Sequence, residues 1–260
     1  LEFATKHQGF LRNFPSLLTT FGHVFTREAA IGNLADRVVF FLGNIILEDF
    51  MEILLLCGNG YGLGGFKLLR GLYERTVTAA YIAKNPNEAE VFLQYHKVHR
   101  GKLLNHTEEL FNVRELFTED QLARIRDDYQ ETKKNFQEPV CHKCGISRTQ
   151  FSWSRLDVGS MAKKADPDLA QLYLSCYFLP TLQTHSTVSA LFAQMKTSDT
   201  GGLMFNPDAQ REKVDEALRG AHSVILFALQ TQNDYFRLGL DQEIESKRNE
   251  FIQTWKHHPE

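Results

Sequence analysis

From about Gly32 onward the apolar positions of this chain recur every three to four residues, the spacing of helices with one buried face. No period-two run bounded by turn residues stands out, so the pattern predicts an all-α fold. A long helix is expected over Asn33 to Leu56, and Gly58 to Gly65 (GNGYGLGG) supplies the turn out of it. The next segment, GGFKLLRGLYERTVTAAYIAK over Gly64 to Lys84, is apolar on nearly every side, which predicts a helix buried all round. Asn85-Pro86 then reads as an N-cap followed by a first-turn proline, with Glu88 completing a capping box for a helix running to about Phe111. Thr118 with Gln121 repeats the capping signal for a charged, solvated helix to about Phe136.

The remainder is less regular. The N-terminal stretch to Phe21 predicts a short helix that Pro15 interrupts or restarts. Glu138 to Asp157 has no period and reads as an irregular excursion. Asp166-Pro167 starts another helix, and Pro180 is expected to kink or break it. Asn206-Pro207 opens a helix to about Leu238, and a charged, peripheral helix ends the chain over Asp241 to Lys256. Short connections favour antiparallel neighbours. The expectation is one all-helical domain, with a core bundle over about 32–112, the excursion over about 138–157 and C-terminal helices over about 166–256.

Composition narrows the function little. The 260 residues are 43% hydrophobic and 23% charged, enough core to fold without staples. A formal charge of −3 gives no global field for nucleic acid or anionic lipid. Asn44, Glu48, Asp49 and Glu52 interrupt the most hydrophobic window, Val38 to Cys57, which argues against a membrane span. Four cysteines in a chain this long do not form a disulfide framework, and a reducing cytoplasm is expected.

Three constellations could carry chemistry. The first is the Arg70–Glu74 pair, four residues apart on the all-apolar helix. It is either a buried ion pair that fixes helix register, or a site in which Glu74 serves as base or ligand and Arg70 sets its ionisation. The second lies on the following helix, where His96, His99, Arg100 and His106 share about a third of the circumference. Imidazoles beside a guanidinium could hold a phosphate and move a proton, the two tasks of metal-independent RNA cleavage, or they could form a polar seam between helices. The third is Cys141-His142-Lys143-Cys144-Gly145, half of a zinc knuckle that needs two more ligands. No cofactor is otherwise expected. Glu48 and Glu52 suggest a di-metal bundle site, but the Glu-x-x-His pair such sites use is absent. GNGYGLGG follows no strand and carries no Gly-Lys-Ser/Thr, so its glycines are read as allowing close helix packing.

Leu69, Arg70, Leu72, Glu74, Asn85 and Pro86, with Trp153 and His185-Ser186 further on, resemble a family of bacterial all-helical proteins catalogued as a domain of unknown function. The resemblance covers about Gly60 to Met195 and implies fold and bacterial origin, with no activity to carry over. Arg100 and His106, separated by five residues, are also similar to the Arg-x(4–6)-His motif of HEPN-type helical ribonucleases. That likeness implies an RNA substrate, with Arg100 holding phosphate, His106 acting as acid/base and His96 or His99 assisting across a homodimer. The alternative is a non-catalytic helical protein that binds a protein partner or a small ligand.

Overall fold

The computed structural model describes residues 2–141, 144–185, 187–205 and 210–256. The fold is all-α: among these residues it has twelve α-helices and two small two-stranded hairpins. The chain forms two compact units, residues 1–84 with 158–260 and residues 85–157. The helix expected to close the core bundle near residue 112 belongs with the second unit.

The first unit is built on three long helices packed against one another: α3 (Leu34–Gly58), α4 (Gly62–Lys84) and α11 (Lys213–Phe236). Asn33 caps α3 with a reciprocal box, accepting from the Asp36 amide while Asp36 accepts from Asn33. The glycine run between α3 and α4 works as predicted. Gly60 takes the left-handed turn at φ 83°. A methyl group on Gly62 would lie 2.4 Å from the Gln210 carbonyl oxygen, and one on Gly65 would lie 2.8 Å from Cys57 Sγ. These glycines let α4 approach α3 and the start of α11.

Around this centre lie α1 (Glu2–Lys6), α2 (Gln8–Phe25) and α12 (Asp241–Trp255). The interruption expected at Pro15 falls instead at His7, and α2 runs straight through the proline. A proline inside a helix costs about 3 kcal/mol. Burial of Phe10, Leu17, Phe21, Val24 and Phe25 on that helix outweighs it, at about 1.5–3 kcal/mol for each large side chain. Helix α12 is less peripheral than its charge suggested: Ile244 and Trp255 are buried, and it packs on α2 and α11.

The remaining elements of this unit come after residue 157. Helices α7 (Val158–Ala165) and α8 (Pro167–Gln171) meet at Asp166, whose carboxylate accepts from the Asp168 and Leu169 amides. Next come a π-helical turn, Leu174–Phe178, then α9 (Leu179–Thr184) and α10 (Val188–Phe192). Pro180 sits in the first turn of α9, where it cannot donate to the Cys176 carbonyl, and the wide turn directly before it accommodates the break. A hairpin of β3 (Met195–Thr197) and β4 (Leu203–Phe205) follows. The Asn206-Pro207 helix start lies outside the described residues.

The second unit holds α5 (Glu88–Leu110), α6 (Glu119–Thr132) and a hairpin of β1 (Gln137–Cys141) and β2 (Ile146–Thr149). The excursion expected at 138–157 thus begins as a β-hairpin. The Thr118–Gln121 capping box forms at the start of α6. The one expected at Asn85 does not: Asn85 to Asn87 form a backbone turn, with the Glu88 amide donating to the Asn85 carbonyl at 2.9 Å, and α5 starts at Glu88. Leu104, Val113, Leu122 and Ile125 make one small core, and Tyr95, Val98 and Phe136 make another under Trp153.

Candidate functional site

Helix α4 places Arg70 and Glu74 where the π-helical turn passes. The pair forms, with Arg70 Nη2 3.3 Å from the Glu74 carboxylate, but its side chains are 31% and 41% exposed. The expectation of a fully buried pair is therefore corrected. Helix α4 is enclosed on all sides only from Thr76 to Ile82, and its earlier turns leave a polar stripe open. A second ion pair of α4, one the sequence did not suggest, joins Arg75 Nη1 to Asp49 at 2.5 Å, with the aspartate side chain 12% exposed. Burial raises the Asp49 carboxyl above the usual range although Arg75 pulls the other way.

The surroundings of Arg70 are aromatic. Its guanidinium carbon stands 5.2 Å from the centre of the Tyr177 ring, which the π-helical turn brings onto α4. Tyr173 and Tyr177 pack together at 5.3 Å and both meet Tyr73. The Tyr73 hydroxyl donates to the Leu169 carbonyl at 2.9 Å, and burial pushes its pKa well above the ordinary tyrosine range. Arg70 Nε is sealed from solvent with no hydrogen-bond acceptor. The result is a guanidinium set over an aromatic ring, oriented along one edge by a carboxylate and open to solvent on part of its surface.

In the second unit, His96, His99, Arg100 and His106 are all exposed along α5, so they form no buried polar seam. His106 comes within 4.0 Å of Glu109, and the His99 ring lies 6.3 Å from Tyr95. Gly101, next to Arg100, has a packing reason: a methyl group there would lie 2.3 Å from the Tyr129 ring where α5 crosses α6. Arg100 and His106 stand about 9 Å apart along the helix and about 120° around it. His96, one turn back, shares the face of Arg100 more closely than His106 does.

For the cysteine pair, Cys144 is exposed at the hairpin turn and Cys141 ends β1. The Cys141 side chain, His142 and Lys143 lie outside the described residues, as does Ser186. His185 is exposed at the end of α9. Glu48 and Glu52 are exposed on α3, and among the described residues no three metal-ligating side chains cluster.

One arrangement was invisible in the sequence. His7, almost fully buried, joins Asp215 at 2.9 Å through Nε2 and the Phe3 carbonyl at 3.1 Å through Nδ1. Both partners are acceptors, so a ring that serves both donates from both nitrogens. Lys6 adds a contact of 2.6 Å to the same carboxylate. Burial pushes the Asp215 carboxyl up, but the hydrogen bonds and charges of Lys6 and His7 prevail and hold it below the usual range. These groups border a cavity of about 250 Å³ with Cys57, Gly60 and Arg211. Cys57 is no nucleophile, because burial, with the Asp215 charge, pushes its thiol up to about 12. No local pattern announces a pair 208 residues apart in the chain.

These features define a helical protein of two compact units with an exposed Arg–Glu pair beside a tyrosine ring in the larger unit. The chain matches the model of a family of unknown function, DUF5677, over residues 36–203, more than half its length, and belongs to that family. The matched span holds Arg70, Glu74 and Tyr177 as well as all of α5. No curated protein and no solved structure gives a significant match. No helix among the described residues is long and apolar enough to cross a membrane.

Proposed function

We propose that this is a binding protein that recognises an anionic group, a phosphate or carboxylate, at Arg70. The observation that carries this reading is the guanidinium held between the Tyr177 ring and Glu74 while part of it faces solvent. An arginine fixed in this way has given up its rotamer freedom before the ligand arrives, which lowers the cost of binding. With Nε sealed away, the Nη edge of the guanidinium is what can meet an oxyanion, and Glu74 disfavours a second negative charge beside it, giving selectivity for compact anions. The test is titration with inorganic phosphate and with a nucleoside monophosphate, followed by calorimetry. Arg70→Lys keeps the charge but loses the fork and is expected to bind at least tenfold more weakly. Equal binding by the variant, or none by the wild type at millimolar ligand, removes the proposal.

A second reading, metal-independent RNA cleavage by Arg100 and His106 with His96 or His99, is supported by the exposure of all four side chains, since no core contact consumes them. It ranks second because they line a convex helix face, whereas chemistry needs a substrate held in a fixed pose. RNA degradation in chelator by wild type, Arg100→Ala and His106→Ala decides it, and equal rates in all three eliminate the site. Structural zinc at Cys141 and Cys144 is a further proposal, resting on their Cys-x-x-Cys spacing at a hairpin turn.

A further inference from the structure

Several cations of the second unit are held by carboxylates: Lys97 by Asp128 at 2.8 Å, Arg114 by Glu119 at 3.0 Å, and Arg126 by Glu108. Around the β1–β2 hairpin the pattern changes. Among the described residues Lys102, Lys133 and Lys134 form no ion pair, and Arg148, which meets Glu138 at 2.5 Å, keeps its side chain 56% exposed. Lys133, Lys134 and Arg148 line a groove of about 450 Å³ with Gln137, Ser147 and Thr149. No carboxylate stands among those lining residues. The groove is thus cationic and polar, although the chain as a whole carries a charge of −3.

Two residues past β2, Phe151 is 79% exposed. A single exposed apolar side chain is ordinary, but the neighbours of this one are not. The Arg148 guanidinium carbon stands 4.8 Å from the centre of its ring and Lys102 Nζ stands 5.6 Å from it. The backbone beneath the ring is held. The Gln150 amide donates to the Phe136 carbonyl at 2.8 Å, and the Gln150 carbonyl accepts from the Tyr95 hydroxyl at 2.9 Å and from Lys102. Phe151 is therefore displayed on a fixed segment, with most of its surface open. Arg148 belongs to both features, since it borders the groove and flanks the ring.

We propose that this surface binds single-stranded nucleic acid, with phosphates in the groove at Lys133, Lys134 and Arg148 and a base against the Phe151 ring. Cations alone would serve any polyanion. An aromatic ring in open solvent beside them is what an unpaired base needs, because every base has a face that can stack. A duplex keeps those faces inside its own stack, so the ring selects for a single strand. The negative charge of the whole chain does not oppose this, since screening over about 8–10 Å at physiological salt leaves the local field to decide. The proposal does not depend on the Arg70 reading, and a strand held here need not be one that Arg100 and His106 cut.

Fluorescence anisotropy of the full chain with labelled oligouridylate and oligothymidylate of about ten nucleotides tests it, over a series of salt concentrations. Wild type is expected to bind, with a log–log salt slope near about −2, from roughly 0.7 for each of the groove's three cations. A preference between the two oligomers identifies RNA or DNA as the source of the strand. Phe151→Ala should weaken binding at least about fivefold and leave the slope unchanged. Lys134→Gln should weaken it and flatten the slope by about 0.7. Both side chains are exposed, so helical circular dichroism should not change. Arg70→Lys should bind the oligomers as wild type does, which separates this surface from the Arg70 site. No binding at tens of micromolar protein in low salt, full affinity in Phe151→Ala, equal competition by polyglutamate of matched charge, or a loss from Arg70→Lys would each overturn the proposal.

Discussion

Helices α4 and α5 follow each other in the chain and are both 23 residues long, but they meet opposite environments. Helix α4 buries fourteen of its residues, two of them glycines pressed against neighbouring helices. Helix α5 buries five, at intervals that mark one narrow stripe, and turns its histidines to water. The same length of helix is thus a structural spine in one unit and a surface in the other. Helices of this length are marginal in isolation, so each depends on the apolar surface it buries more than on helix propensity.

The comparison is broken most directly by truncation. Leu72→Ala in α4 removes a side chain with no solvent exposure and is expected to cost about 2–5 kcal/mol in urea unfolding. Leu103→Ala, the same change on the open face of α5, is expected to stay within about 0.5 kcal/mol. Comparable losses from both would mean that the exposed face of α5 is covered in solution.

Next in size is Gly101→Val, which drives a branched side chain into Tyr129 and should cost about 1–3 kcal/mol or more by overpacking. Because Gly101 lies where α5 packs on α6 within the second unit, the loss should show first in amide exchange over residues 85–157.

The histidines sharpen the contrast through pH. His222 in α11 is buried against Phe10, Phe251 and Trp255, and the Trp255 indole donates to its Nδ1 at 3.2 Å. Burial lowers it from 6.5 to about 3. The unfolded chain therefore binds a proton between those values that the folded chain does not, so stability falls as pH drops through that window, by at most about 1.4 kcal/mol per unit. Urea titrations from pH 7 to pH 5 should show a loss of roughly 2 kcal/mol that His222→Gln abolishes, relative to its own pH 7 value. His96→Gln and His106→Gln should leave that slope unchanged.

The smallest effects belong to the partly exposed charges. Glu74→Gln should cost under about 1 kcal/mol, as expected for an ion pair open to solvent. Cys144→Ser at the hairpin turn should change the melting temperature little, and a drop of several degrees would instead favour zinc at that turn.

Much of this architecture was legible in local pattern. The Thr118 and Asp166 caps and the glycine turn after α3 stand where residue chemistry places them, because each depends on neighbours a few residues away. Pro15 and Asn85 misled for a related reason: a local preference worth about 1–3 kcal/mol yields when several buried side chains or a backbone turn oppose it. For the candidate site, sequence supplied Arg70 and Glu74 as a pair but not their exposure, nor Tyr177, which lies more than 100 residues on and reaches the guanidinium only through the π-helical turn.

The sequence by itself therefore determined the long helices, several of their ends, and which residues on α4 and α5 could share a face. Periodicity and capping are encoded within one or two turns, and that distance suffices for them. Tertiary structure alone decided which faces were covered. It opened the first turns of α4, exposed α5 and joined His7 to Asp215 across the chain. Burial depends on segments distant in sequence meeting in space, and no window of neighbouring residues contains that information.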